Sequence, residues 1–167
     1  MSSAIFRKRL LLQAALMLAL AFSGCLCEYD PYARQFTTTK PLSADCVGTY
    51  TLTEQTITDD GLTILHGQLC QIVLQADGAC QITNYPEWDG ADQLNGLVTA
   101  TGQWQVVMCG TVAVTSNDPG QTAWGISFTT PKTGDRLTLT NQTPPHGLIH
   151  TEGDPDAARV MIFQRKP

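Results

Sequence analysis

The residues best equipped for chemistry are six cysteines and three histidines, and their spacing rather than their number decides what they can do. Zinc and thiol-redox sites advertise themselves by Cys-x-x-Cys pairs, because two sulfurs must converge on one atom or on each other. That spacing is absent, and Cys25-Leu26-Cys27 is one residue short of it. His146 and His150 stand four apart with Glu152 and Asp154 just beyond, a spacing that on a helix would aim both imidazoles one way. Pro144-Pro145 and Gly147 exclude the helix. The two rings therefore have no reason to converge, and the segment reads as a loop of partly exposed polar residues. His66 stands alone as a strand-end residue.

No Gly-x-Ser-x-Gly elbow presents a nucleophile, and no glycine loop of phosphate-cradling form occurs. Ser127 lies in an alternating stretch, and most aspartates sit beside Gly or Pro, where an Asx turn accounts for them. The expectation is a protein that is not an enzyme and uses neither metal nor cofactor. One loop stands out. Residues 84–95 gather Glu87, Trp88, Asp89 and Asp92 around Pro86 and Gly90, so an aromatic among acids becomes a candidate recognition anchor. The plainer account of Trp88 is a plug folded over the mouth of a barrel.

The elements that must carry these residues are extended. From Cys46 onward apolar residues recur with period two, and turn residues intervene every eight to twelve positions. Strands are expected at about 46–54, 62–65, 69–76, 79–83, 97–108, 111–115, 122–129, 136–140, 148–151 and 159–164. Asp77-Gly78 is the strongest hairpin signal. A three-residue loop with Gly78 left-handed sets Cys80 opposite Leu74 and Ile82 opposite Ile72, which keeps one face apolar; a two-residue loop would mix the faces. Trp104, Trp124 and Phe128 fall on alternating strands and are read as core. Eight to ten short strands in about 120 residues predict an all-β fold, a single small antiparallel barrel over residues 46–167, closed because closure removes exposed edges.

The N-terminus is an address. Arg7-Lys8-Arg9, the apolar run 10–22 broken only by Gln13, and Ser23-Gly24 before Cys25 have the three parts of a secretory signal, and the run is too short to span a bilayer. Phe22-Ser23-Gly24-Cys25 resembles the lipobox of bacterial lipoproteins, with Phe22 where that family usually has Leu, Val or Ile. The resemblance implies cleavage after residue 24 and lipid on Cys25, hence a cell-envelope protein held to a membrane and facing the periplasm or exterior. Leu26 in place of Asp favours the outer membrane in a Gram-negative source. Residues 25–45, with Pro31, Pro41 and Thr37-Thr38-Thr39, read as a linker that holds the domain clear of the lipid. Without residues 1–24, 7 basic residues face 15 acidic ones, a net charge of −8. Nucleic acid is a poor partner for such a surface.

Gly48-Thr49-Tyr50, Ala76-Asp77-Gly78-Ala79, Gly102-Gln103-Trp104 and the closing strand 160–163 resemble the punctuation of small lipocalin-like barrels carried by bacterial lipoproteins, with Tyr50 where a lipocalin has Trp. Export makes disulfides the default for Cys46, Cys70, Cys80 and Cys109, leaving Cys27 spare. Cys70 and Cys80 stand at opposite ends of the hairpin ladder, so the open choices are Cys46–Cys70 with Cys80–Cys109, or Cys46–Cys80 with Cys70–Cys109. The function expected is binding or envelope assembly by a lipid-anchored, non-catalytic barrel, its partner another envelope protein. The alternatives are a carrier of a small apolar ligand, as the lipocalin resemblance implies, and an inhibitor or immunity protein of an envelope enzyme.

Overall fold

Period-two alternation gives each strand one apolar face, and eight such faces are buried together when the sheet rolls up. A computed structural model describes residues 30–57, 68–88, 94–113, 119–153 and 158–166. Its strands are β1 (Gly48–Gln55), β2 (Gln71–Leu74), β3 (Ala79–Trp88), β4 (Leu94–Val112), β5 (Gln121–Thr129), β6 (Gly134–Thr140), β7 (Gly147–Thr151) and β8 (Val160–Arg165). Each pairs antiparallel with the next, and β8 returns to β1, so the barrel closes. The expected fold class is the observed one. The strand expected at 62–65 lies outside the described residues.

The β2–β3 hairpin has the three-residue form, with Leu74 opposite Cys80, Ile72 opposite Ile82, and Gly78 at φ +87°. Two expected breaks are instead irregularities within longer strands. Residues 97–108 and the first two residues of the strand expected at 111–115 belong to one strand, β4, because Cys109-Gly110 forms a bulge between the Met108–Trp124 and Gly110–Ala123 pairs rather than a turn; residues 114 and 115 lie outside the described residues. Likewise β3 continues past Thr83 through a second bulge to Trp88.

β4 serves two neighbours in succession. Its first half pairs with β3 and its second with β5, and Gln103 is partnered on both sides, by Ala79 and Thr129. At that crossing a Cβ on Gly102 would overlap the carbonyl of Thr129. Only glycine admits the approach, so Gly102→Ala is expected to cost about 1 to 3 kcal/mol or more through forced backbone shift. A urea midpoint equal to the parent's would contradict this close contact.

The interior is filled by side chains. Tyr50, Ile72, Leu74, Ile82, Tyr85, Ile126, Phe128, Leu137, Leu139 and Phe163 are all less than 2% exposed and pack as one cluster with Trp104. Trp124, expected in this core, lies half-buried outside it with Lys40 Nζ 5.2 Å from its ring centre. The end where β1 begins is shut by the short helix α1 (Ser43–Cys46): Tyr50 donates to the Cys46 carbonyl at 2.8 Å, and Arg165 Nη1 donates to that of Asp45 at 2.9 Å. The opposite end is the mouth.

Residues 30–45 differ most from expectation. Instead of a loose linker, residues 30–42 form a strap on the outer wall, where Ala33 and Phe36 pack with Ala123, Ile149, Val160 and Ile162 in a second apolar cluster. The physical reason is that β7 and β8 carry apolar residues on both faces, and the outer face also needs cover. The strap also fills a seam. β5 and β6 pair only as far as Gly125 and Thr138, and beyond them Thr37 bridges the gap, donating to the Leu139 carbonyl and accepting from the Trp124 N–H, each at 2.9 Å.

Candidate functional site

The most chemically loaded place lies just inside the mouth, where three strands contribute. Alternation turns Leu148 and His150 of β7 inward, and Glu152, two residues further, follows on the same side. Asp135 enters from the start of β6. Tyr85 comes from β3, and its direction depends on the bulge: Ile82 points inward, so a regular strand would send Tyr85 outward. The extra residue reverses that. Asn84 takes the left-handed φ of +49°, which Asn tolerates, its N–H donates to Thr99 Oγ1 at 3.1 Å, and its side-chain amide donates to the Leu69 carbonyl at 3.0 Å.

His150 is held from both sides. Nδ1 lies 2.8 Å from Asp135 Oδ2 and Nε2 lies 2.9 Å from Glu152 Oε2, with the imidazole, Glu152 and most of Asp135 shielded from water. The Tyr85 hydroxyl donates to the same Asp135 oxygen. Above the ring lies Trp88, stacked nearly parallel to the imidazole at 5° with centroids 6.1 Å apart. Its indole nitrogen is buried and makes no hydrogen bond among the described residues.

Burial works against a charged imidazole, yet the hydrogen bonds and charges of Asp135 and Glu152 outweigh it and raise the His150 pKa to about 9. Burial likewise pushes Asp135 upward, and the bonds from His150 and Tyr85 reverse this and hold it below the usual carboxylate value. Tyr85 is driven well above the ordinary phenol range by burial and by Asp135. The resting state is thus an imidazolium between two carboxylates with a neutral phenol beside them. Such a histidine has no lone pair for base catalysis or a metal, since both nitrogens are donors. Among the described residues no group of His, Cys, Asp and Glu is placed to hold a metal ion.

The strand expected at 148–151 is present as β7, but the partly exposed polar loop expected around His146 and His150 is not: His150 and Glu152 are buried, 5% and 6% exposed, because they occupy and continue the inward positions of that strand. His146 is buried too, near the closed end, with Nδ1 3.1 Å from the Asn141 carbonyl. The two rings do not converge. Of the expected recognition loop, Glu87 and Trp88 end strand β3, while Asp89 and Asp92 lie outside the described residues, as does Cys25. Trp88 is half-buried against the core, the plug rather than an exposed anchor.

The disulfide expectation is overturned as well: Cys46, Cys70, Cys80 and Cys109 are free thiols. Register explains why. Cys80 pairs with Gly102, and Cys109 is seven residues further along β4, about 23 Å at roughly 3.3 Å per residue, far beyond bridging reach. Cys70 faces the interior, whereas Cys109 packs on the outer wall with the strap. Both pairing schemes needed Cys109. Burial raises all four of these thiols, Cys46 to about 11 and Cys70 to about 12, so none of the four is poised as a nucleophile. Comparison with protein-family models finds no match, and comparison with curated proteins and with solved structures finds none either.

Proposed function

We propose that the chain is a lipid-anchored protein of the cell envelope whose barrel binds another envelope component through its outer surface. The observation that carries this is the filled interior. A carrier needs a concave site of about 300 Å³ or more, and here the corresponding space holds Tyr50, Tyr85, Phe128 and Phe163, with α1 at one end and Trp88 at the other. The polar cluster around His150 is satisfied within itself, which supports a structural rather than a catalytic part for it. An inhibitor of an envelope enzyme is a special case of this reading, with Glu87 at the rim. The anchor is Cys25, on the strength of Ser23-Gly24-Cys25 behind a basic and apolar leader, and Leu26 favours the outer membrane where the source has one.

Two measurements on the exported protein test the proposal. Cys25→Ala is expected to move it from the membrane fraction to the soluble fraction or to stop its processing; a variant wholly in the membrane at mature size would remove the anchor. Native mass spectrometry of gently extracted protein is expected to give the mass of the chain and its lipid alone. A retained small apolar ligand would instead establish the carrier.

A further inference from the structure

We infer that the barrel lies directly against the lipid surface, with the patch formed by Lys40, Leu42, Met108 and Trp124 on the headgroups. This deepens the anchored reading and rests on it. The first step is length. If residues 25–45 were slack, the barrel would stand clear of the membrane, but the strap is fastened from its beginning: Ala33 and Phe36 are buried, and Asp30 lines a groove with Val112 and Ala113. Only five peptide steps separate Cys25 from Asp30, at most roughly 18 Å of fully extended chain. The outer wall at the end of β4 is therefore leashed close to the lipid.

The second step is what the rim beside that wall carries: Ala123 packs on the outer wall, so Trp124 and its ladder partner Met108 lie on the other side of the same strands, near their end. Among the described residues three large apolar side chains are strongly exposed, and two of them are Leu42 at 72% and Met108 at 58%. Met108 pairs across the ladder with Trp124, and the Lys40 ammonium sits over the Trp124 ring, two residues before Leu42. Met108 is next to the 109–113 stretch that borders Asp30, so the leash and the patch share one pair of strands. A half-buried tryptophan, a lysine and exposed aliphatic groups suit the membrane interface, where the indole sits at headgroup level and the ammonium meets lipid phosphate. Weak attraction is enough. A short leash supplies an effective concentration of roughly millimolar, so a patch with little affinity of its own stays engaged.

The test uses the full lipidated protein in vesicles of phosphatidylethanolamine and phosphatidylglycerol containing a headgroup-nitroxide lipid. Flotation with the vesicles is read first, and tryptophan quenching second. Quenching is expected, and Trp124→Phe is expected to abolish most of it while Trp88 and Trp104 stay dark to the nitroxide. Leu42→Asp with Met108→Asp changes only exposed positions, so it leaves the fold intact and should weaken quenching of Trp124. Flotation without quenching, or quenching that Trp124→Phe leaves unchanged, overturns the inference and spares the anchor. Failure to float overturns the anchor and the inference with it.

Discussion

Replacing His150 by Leu is expected to destabilise the protein by about 3 to 5 kcal/mol, the cost of removing one partner from a buried ion pair and stranding the other. The loss is large against a total stability of roughly 5 to 15 kcal/mol. Two carboxylates, Asp135 and Glu152, would be left facing each other across an apolar gap with no cation between them. Neutralising them as well, by Asp135→Asn and Glu152→Gln in the His150→Leu background, should recover much of the loss, because the stranded charge rather than the missing contact dominates it. The same cluster sets the pH response. His150 is raised in the folded state from 6.5 to about 9, so its contribution is fully present below pH 6.5 and is lost as pH rises through 9. Asp135 is lowered, so its contribution is present above 3.8 and is lost on acidification. Stability should therefore peak between these limits and fall on the alkaline side, by something of order 3 kcal/mol for the histidine. Urea titrations at a series of pH values give the curve directly. If parent and His150→Leu show the same alkaline slope, the imidazolium is not what the geometry indicates.

That cluster was hidden in the sequence for reasons that can be named. His150 and Glu152 are two apart, the spacing that puts side chains on one face of a strand, but weighing His146 against His150 and excluding a helix left the pair in a loop, and the strand spacing of His150 and Glu152 went unread. Asp135 looked like a turn residue beside Gly134, and it does accept its neighbour Arg136's N–H at 2.6 Å; only the β5–β6–β7 register brings its other oxygen to His150. Tyr85 required a bulge that Asn84-Tyr85-Pro86 does not announce. By contrast the β2–β3 register was legible, since Asp77-Gly78 allows few turns and only one keeps Leu74, Cys80, Ile72 and Ile82 together. Closure of the barrel was legible from many short alternating strands. The thiol pairing was not, because Cys-Cys proximity depends on how far β4 runs past β3, which composition does not encode.

The strap leads to the second large effect, at the N-terminal boundary of the domain. A chain beginning at Cys46, where period-two alternation starts, should fail to show the cooperative unfolding of a chain beginning at Asp30. Its loss would be twofold. The outer face of Ala123, Ile149, Val160 and Ile162 would open to water as a contiguous apolar patch. The seam between β5 and β6 would also lose its filling: Trp124 N–H, the Leu139 carbonyl and Asn141 N–H, now bonded to Thr37 and Gln35 at 2.9 Å, would have no protein partner. The sequence carries a trace of this, because 160–163 is apolar at four successive positions, a pattern that belongs to a strand covered on both sides. A finer probe is Phe36→Ala in the full chain. Phe36 is 3% exposed, and its truncation should cost about 3 to 5 kcal/mol, the usual range for an aromatic removed from a core. Denaturant titration of the two shortened chains and of Phe36→Ala decides the matter: matched midpoints would return residues 30–45 to the status of a tether, while a lost or broadened transition in the shorter chain makes the strap a structural member of the barrel.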